Sequence, residues 1–277
     1  MELEGKIAIV TGGGAGIGEA IAIRLAEEGA DVAIMEISKP RTDSVADKIK
    51  KLGRRALGLV ADATDPEQLR QAAQNVIDAF GRIDILVNNV GGEIRFYNEH
   101  AGDRFVEISG QEWNEMIDFN LKSAIRACQA VTPHMIKQNS GKIVNIASIA
   151  GRHPVGHGAR GSAITMSYGV CKAGIIQFSD LLALELAVHN INVNCVCPGE
   201  VWTPMYEKNA LRAIASDPQL KGMTPREYFE KMVVSGMPLG REATAADVGE
   251  AVLFFVSEKS RNITGQSLNV DAGARPR

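Results

Sequence analysis

Short apolar runs separated by helix-period segments constrain this chain more than any other feature. Lys6-Ile-Ala-Ile-Val10, Asp31-Val-Ala-Ile-Met35, Ala56 to Val60 and Ile83 to Val87 each have strand length and no polar face. Between them lie helical patterns: Gly16 to Glu28, with Ile17, Ala20, Ile21 and Leu25 on one side, then Thr42 to Leu52 and Pro66 to Phe80. A strand that is apolar throughout has no side to turn to water, so the sheet it joins is parallel and covered by helices on both faces. Two longer helical stretches follow, Gln111 to Gln138 and Tyr168 to His189. They lead into Lys142 to Ile146 and Asn192 to Val196, and a last helix, Ala245 to Val256, precedes Gln266 to Val270. The expected fold class is α/β, a doubly wound parallel sheet of about seven strands.

The alternation never stops over the 277 residues, and there is no repeat or Pro/Ser-rich linker. One domain, 1–277, is therefore expected. Two stretches break the pattern: 93–110, polar and mixed, and Thr203 to Met237, which carries Pro204, Pro218 and Pro225 with Pro238 just beyond. Irregular segments of that length are usually functional, and they read as a substrate loop and a lid over 203–238.

Composition removes several classes. Lys+Arg 30 against Asp+Glu 33 leaves a net charge of −3, without the basic footprint of a nucleic-acid binder. No apolar run reaches the ~18 residues of a membrane span. The acidic start, Met-Glu-Leu-Glu-Gly-Lys, has no basic n-region, so a cytoplasmic location is expected. Cys128, Cys171, Cys195 and Cys197 match no zinc spacing and read as reduced, buried thiols. His153 and His157 stand at i and i+4 without a third ligand, so no metal is expected.

Thr11-Gly-Gly-Gly-Ala-Gly-Ile-Gly18 lies between the first strand and the first helix. Glycines there let backbone approach a phosphate, and the helix presents unpaired N–H groups to it. Glu36 closes the second strand. It is either an ordinary strand-end charge or the carboxylate that accepts from a ribose diol and repels a 2′-phosphate, which favours NAD over NADP. Lys39 and Arg41 further on soften that preference. Tyr168 and Lys172 share a helix face at i and i+4. On an ordinary surface helix such a pair is only solvated charge. Beside a bound substrate, the ammonium lowers the tyrosine pKa from its reference of about 10 and makes it a general acid/base. Ser148, Asn88-Asn89-Val90-Gly91 and Pro198-Gly199 with Thr203 all follow strands at their carboxyl ends, where open α/β sheets bind ligands. Asn120 is a polar amide in a helix and needs a partner, such as a bound water.

These residues together resemble the short-chain dehydrogenase/reductase family, over about residues 3 to 273. Thr11-Gly12-x-x-x-Gly16-Ile17-Gly18 is similar to its cofactor motif, Asn88-Asn89-Val90-Gly91 to its Asn-Asn-Ala-Gly motif with Val for Ala, and Asn269-Val-Asp-Ala-Gly273 to its C-terminal turn. The resemblance implies a Rossmann fold and hydride transfer between a nicotinamide and an alcohol or carbonyl carbon. It implies a catalytic set of Asn120, Ser148, Tyr168 and Lys172. Tyr168 would exchange the proton, Lys172 would also hold the ribose, Ser148 would orient the substrate oxygen, and Asn120 would bind a water linked to Lys172. The cofactor would be held by Gly12, Gly16, Ile17, Gly18, Glu36, Asp62, Ala63, Asn89, Gly91, Tyr168, Lys172, Pro198, Gly199, Val201 and Thr203. NAD is preferred to NADP, and a homotetramer or homodimer through the two long helices is implied.

Ser148 and Tyr168 are 20 positions apart, against about 13 in most relatives. The insert within 151–165 is rich in glycine and basic residues. With the segment after Gly91 it would bring Arg95, His100, Arg104, Arg152, His153, His157 and Arg160 to one edge. Solvated loops carry such charges too, but arginines at a cleft mouth pair with carboxylate or phosphate, so Arg95 and Arg160 are candidate contacts to an anionic substrate. Met205, with Tyr206, Met223, Tyr228, Phe229, Met232 and Met237, offers adaptable apolar contacts, or packs the lid on the core. The expected substrate is a small molecule, a hydrophobic or cyclic secondary alcohol, optionally carboxylated. The Asn-Asn-Val-Gly-Gly start also resembles dihydrodiol-carboxylate dehydrogenases of aromatic-acid breakdown. The rivals are a catalytically silent nucleotide sensor and another glycine-loop enzyme such as a methyltransferase. The complete Asn-Ser-Tyr-Lys set and the glycine register speak against both.

Overall fold

A computed structural model describes residues 1–92, 105–154 and 163–275. Strands β1 (Ile7–Thr11), β2 (Asp31–Glu36), β3 (Ala56–Val60), β4 (Ile85–Asn88), β5 (Gly141–Ile146), β6 (Ile191–Pro198) and β7 (Ser267–Val270) form one sheet. Their order is β3-β2-β1-β4-β5-β6-β7, and every pairing is parallel. This is the doubly wound sheet that the apolar runs predict.

Alternation along the strands sorts the core. Ala8, Val10, Val32, Ile34, Val87 and Val144 face one side and pack on α1 (Gly16–Glu27), α2 (Lys39–Lys51) and α9 (Ala245–Val256). Ile7, Ile9, Ala33, Leu86, Ile143 and Val193 face the other and meet α3 (Pro66–Phe80), α5 (Ser123–Gln138) and α6 (Ala163–Leu186). Both faces being covered explains why the central strands β1 and β4 are apolar on both sides.

Three sequence expectations are corrected. Residues 111–138 are two helices joined by a π-helical turn: α4 (Gly110–Ile117), the turn Asp118–Lys122, then α5. The helix carrying Tyr168 begins at Ala163, which places Tyr168 in its second turn. The lid is not irregular but largely helical, with α7 (Pro204–Ser216) and α8 (Pro225–Met232). Its prolines start these helices. Thr203 and Thr224 are the N-caps, and a proline just inside loses no hydrogen bond because that N–H has no intrahelical partner. Among the described residues, no helix is long and apolar enough to cross a membrane.

Candidate active site

Strand register brings the glycine cluster and Asn-Asn motif together. Thr11 pairs with Asn88, and Asn88 with Asn145, so three strands end level at the carboxyl edge. Thr11 Oγ1 accepts the Asn89 N–H at 3.0 Å, and Asn89 Nδ2 donates to the carbonyls of Thr11 and Gly12 at 3.2 and 3.1 Å. Asn89 thus fastens the end of β4 to the glycine loop. Gly18 is fixed by close approach: a methyl there would overlap the Gly12 carbonyl oxygen and stand 2.5 Å from Asn89 Nδ2. Ile17 packs on the core beside it.

The loop fits a pyrophosphate. Helices α3, α4, α7, α8 and α9 have side-chain caps from Asp65, Ser109, Thr203, Thr224 and Thr244. The N-cap of α1 is Ala15, which has no side chain to accept from the first turn. Its amides are left for an external anion, in a cradle where Gly12 and Gly16 adopt φ of 62° and 58°. Glu36 closes β2 beside this cradle. A methyl at Gly14 would be 2.7 Å from Glu36 Cγ and 2.8 Å from Arg41 Cβ. Glu36 Oε1 accepts the Ser38 N–H at 3.3 Å, and its Oε2 lies 3.1 Å from where a side chain at Gly14 would begin. Asp62 Oδ1 accepts from Thr64 N and Oγ1, both at 2.8 Å, and Ala63 is buried beneath.

The turn after Ser148 and the helix that carries Tyr168 are brought together where two backbones touch. Ser148 follows β5 and begins a short turn at Ile149–Gly151, with its hydroxyl accepting the Ala150 N–H at 3.1 Å. That turn lies on α6. A methyl at Gly151 would be 2.5 Å from the Lys172 carbonyl carbon, and one at Gly169 would be 3.1 Å from the Ala150 oxygen. Only glycine at 151 allows this close approach of the turn after Ser148 to the helix of Tyr168 and Lys172. Lys172 is 2% exposed, donates to the Ile146 carbonyl at 2.9 Å, and places its Nζ 5.6 Å from the Tyr168 ring centroid. Burial lowers its pKa from 10.5 to about 8.

Asn120 sits in the π-helical turn and is fully buried. Its Oδ1 accepts the Gly92 N–H at 2.7 Å, and its Nδ2 donates to the Gly92 and Met116 carbonyls at 3.0 and 3.3 Å. The side chain is thus held by backbone on both of its polar atoms. Asn120 clamps the chain just after the Asn-Asn motif, where a methyl at Gly91 would stand 2.9 Å from Lys172 Nζ.

On the far side, the Gly199 N–H donates to the Val270 carbonyl at 2.9 Å after Pro198 ends β6. Val201 is buried, and Thr203 Oγ1 accepts the Tyr206 N–H at 3.2 Å. The Thr203 methyl lies 3.5 Å from where a side chain at Gly16 would begin, and Met205 Sδ lies 2.8 Å from the same point at Gly92. The lid therefore starts across both rims of the cleft.

Of the basic cluster, only Arg152 and His153 are among the described residues. Arg95, His100, Arg104, His157 and Arg160 lie outside the described residues. Arg152 turns away from the mouth: its Nη1 donates to the Ser267 carbonyl and Asn269 Oδ1 of β7 at 2.8 and 2.9 Å. His153 buries its Nε2 without a partner among the described residues. Phe229, expected to offer adaptable substrate contact, is fully buried between Trp202 and Tyr206. All four cysteines are buried, and desolvation pushes the Cys171 thiol up to about 11, against a reactive role.

Sequence reasoning missed a buried polar chain behind the site. Asn88 Nδ2 donates to Asn145 Oδ1, Asn145 Nδ2 to Ser179 Oγ, and Ser179 Oγ to the Ile175 carbonyl, at 2.8, 2.8 and 2.7 Å. It ties β4 and β5 to α6 two turns beyond Lys172. Asn145 was visible as the one amide inside the apolar run Lys142 to Ile146.

Comparison with known proteins agrees with this geometry. Residues 6–213 match the family described as short chain dehydrogenase. The chain belongs to the short-chain dehydrogenases. It is 34% identical over 273 residues to a 3-oxoacyl-(acyl-carrier-protein) reductase of Thermotoga maritima, covering 99% of each chain. It is 34% identical over 285 residues to a cyclohexanol dehydrogenase of Rhodococcus sp., covering 99% of this chain and 97% of that one. Carveol dehydrogenase from Mycobacterium avium in complex with NAD superposes with a TM-score of 0.86 at 31% identity, covering 99% and 98%. The protein is an oxidoreductase of this family, acting on CH–OH groups.

Proposed function

We propose that this short-chain dehydrogenase interconverts a hydrophobic or cyclic secondary alcohol and its ketone with NAD. The observation that carries the reading is the Lys172 ammonium beside the Tyr168 ring, on a helix against which the turn after Ser148 packs, with the uncapped α1 terminus and the start of the lid across the carboxyl edge. When bound, the nicotinamide supplies the acceptor or donor of a hydride. The protein does the rest. Tyr168 gives or takes the proton at the substrate oxygen. Ser148 holds that oxygen, and the Lys172 ammonium stabilises negative charge forming on the phenol. Asn120 keeps Gly91 and Gly92 clear of both. Glu36 beside Gly14 supports NAD, since a carboxylate there repels a 2′-phosphate. The apolar Met205 at the rim, with the named cyclohexanol and carveol enzymes, supports a cyclic apolar substrate.

The test follows reduced-nicotinamide absorbance with cyclic and linear alcohols, hydroxy acids, cyclic diols, ketones and acyl thioesters. The expected result is highest kcat/KM with a cyclic alcohol and NAD. Preference for a 3-oxoacyl thioester with NADPH would overturn both substrate and cofactor. We further propose a homo-oligomer through α6. Val170, Leu181 and Leu184 of α6, with Val188 in the turn that follows it, are 54%, 59%, 76% and 80% exposed, apolar surface that a monomer would leave wet. Sedimentation of the purified protein at monomer mass would refute this.

A further inference from the structure

The lid leaves the sheet at Val201 and returns at Ala243, and these two residues pair as a parallel bridge. Its two roots are thus held at one place, with Trp202 and Glu242 as the neighbouring lid residues. One side chain from α8 engages both. Arg226 donates from Nη1 and Nη2 to the two oxygens of Glu242 at 3.0 and 2.8 Å. Its guanidinium carbon lies 5.4 Å from the Trp202 ring centroid and 5.3 Å from that of Phe229. Its Nε donates to Glu230 at 3.0 Å. Phe229 in turn meets Trp202 and Tyr206 edge-on, at 5.4 and 4.7 Å between centroids. A bidentate ion pair and a guanidinium against an aromatic ring each add directional restraint, and they act here on the same group.

The position of Trp202 matters to the cleft. The next residue, Thr203, caps α7 and lies against Gly16, and Met205 lies against Gly92. A displaced Trp202 shifts both contacts. We propose that Arg226 is a positioning residue for the substrate: by pinning Trp202 to the lid's returning root, it sets where Met205 stands over the cleft, and hence the pocket offered to the body of an apolar alcohol. Arg226 touches no reacting atom. The inference rests on the oxidoreductase reading above and adds to it the side chain that shapes its substrate side.

The experiment compares Arg226→Ala, Arg226→Lys and Glu242→Gln in a Trp113→Phe background. Trp202 is then the only tryptophan and its emission reports on the lid root. Contacts to the non-reacting body of a substrate act on KM more than on kcat. Arg226→Ala is therefore expected to raise the alcohol KM by about tenfold, the loss of roughly one good directional contact. The change in kcat should be much smaller, and Trp202 emission should shift to the red. Arg226→Lys keeps the charge but not the fork and should fall between. An unchanged alcohol KM in all three variants, with only a lower melting temperature, overturns the proposal and leaves Arg226 a purely structural residue. If Arg226→Ala does not fold, Arg226→Lys and Glu242→Gln carry the same comparison. If the parent turns over no alcohol, the functional reading fails, and the lid is judged by Trp202 emission on adding NAD. A response present in the parent and lost in the variants supports the clamp, and an identical response overturns it.

Discussion

Replacing Tyr168 by phenylalanine is expected to lower kcat by about a thousandfold, the usual range for losing a positioned acid/base. Binding of NAD should survive. The pyrophosphate cradle is built by Gly12, Gly16 and the α1 terminus, and the Asn89 bonds that hold it do not involve α6. The ring also remains, so the packing around it and the neighbouring Lys172 Nζ persists. Steady-state rates give kcat, and titration of reduced-nicotinamide fluorescence gives the cofactor affinity. Turnover within tenfold of the parent would remove Tyr168 from the chemistry. Loss of cofactor binding in step with kcat would show that its role is to hold the ribose.

Replacing Lys172 by methionine should move activity and stability in opposite directions. Activity falls by orders of magnitude, because the only ammonium beside Tyr168 among the described residues is removed together with a candidate ribose contact. Stability rises near neutral pH. Folding lowers the Lys172 pKa from 10.5 to about 8, so between those values the unfolded chain holds a proton that the folded one has released. The stability of the parent therefore increases with pH across that window, and below about pH 8 the cost of burying the charge stands in full. The shift corresponds to about 3 kcal/mol, an upper bound because methionine leaves the Ile146 carbonyl without its donor. Urea unfolding of both proteins between pH 7 and 10 reads this directly. Methionine should win at pH 7, and the gap should close as pH rises. Parallel pH profiles would mean that the ammonium is not held at a cost. A buried lysine that destabilises the fold it serves is a common exchange of stability for function.

The parts of the site that were legible in the sequence are local ones. The glycine cluster reads as a phosphate loop because a strand precedes it and a helix follows within a few residues. Tyr168 and Lys172 read as a pair because helix geometry alone puts i and i+4 on one face. The seven-stranded parallel sheet follows from runs apolar on both faces. The misreadings came from partners distant along the chain. Arg152 looked like a mouth residue while its acceptors, Ser267 and Asn269, are 115 and 117 positions away. Asn120 called for a polar partner, and beside the local Met116 carbonyl the packing of the π-helical turn against Gly92 supplies two of its three bonds. The lid's prolines looked like loop markers because proline inside a helix and proline at its first turn are the same letter. Thr203 and Thr224 before Pro204 and Pro225 were the signal that separates the two.

The sequence by itself determined the sheet, the phosphate loop and the identities of the acid/base pair, since strand polarity, helix period and glycine sterics act within a few residues. Only the tertiary structure decided that the turn after Ser148 lies against the helix of Tyr168, through the contact of Gly151 with α6. It also decided that Asn120 holds Gly92, and that Arg226 joins the two roots of the lid. The reason is physical. These depend on which atoms a close-packed interior brings within hydrogen-bonding distance, and neither periodicity nor spacing encodes that distance.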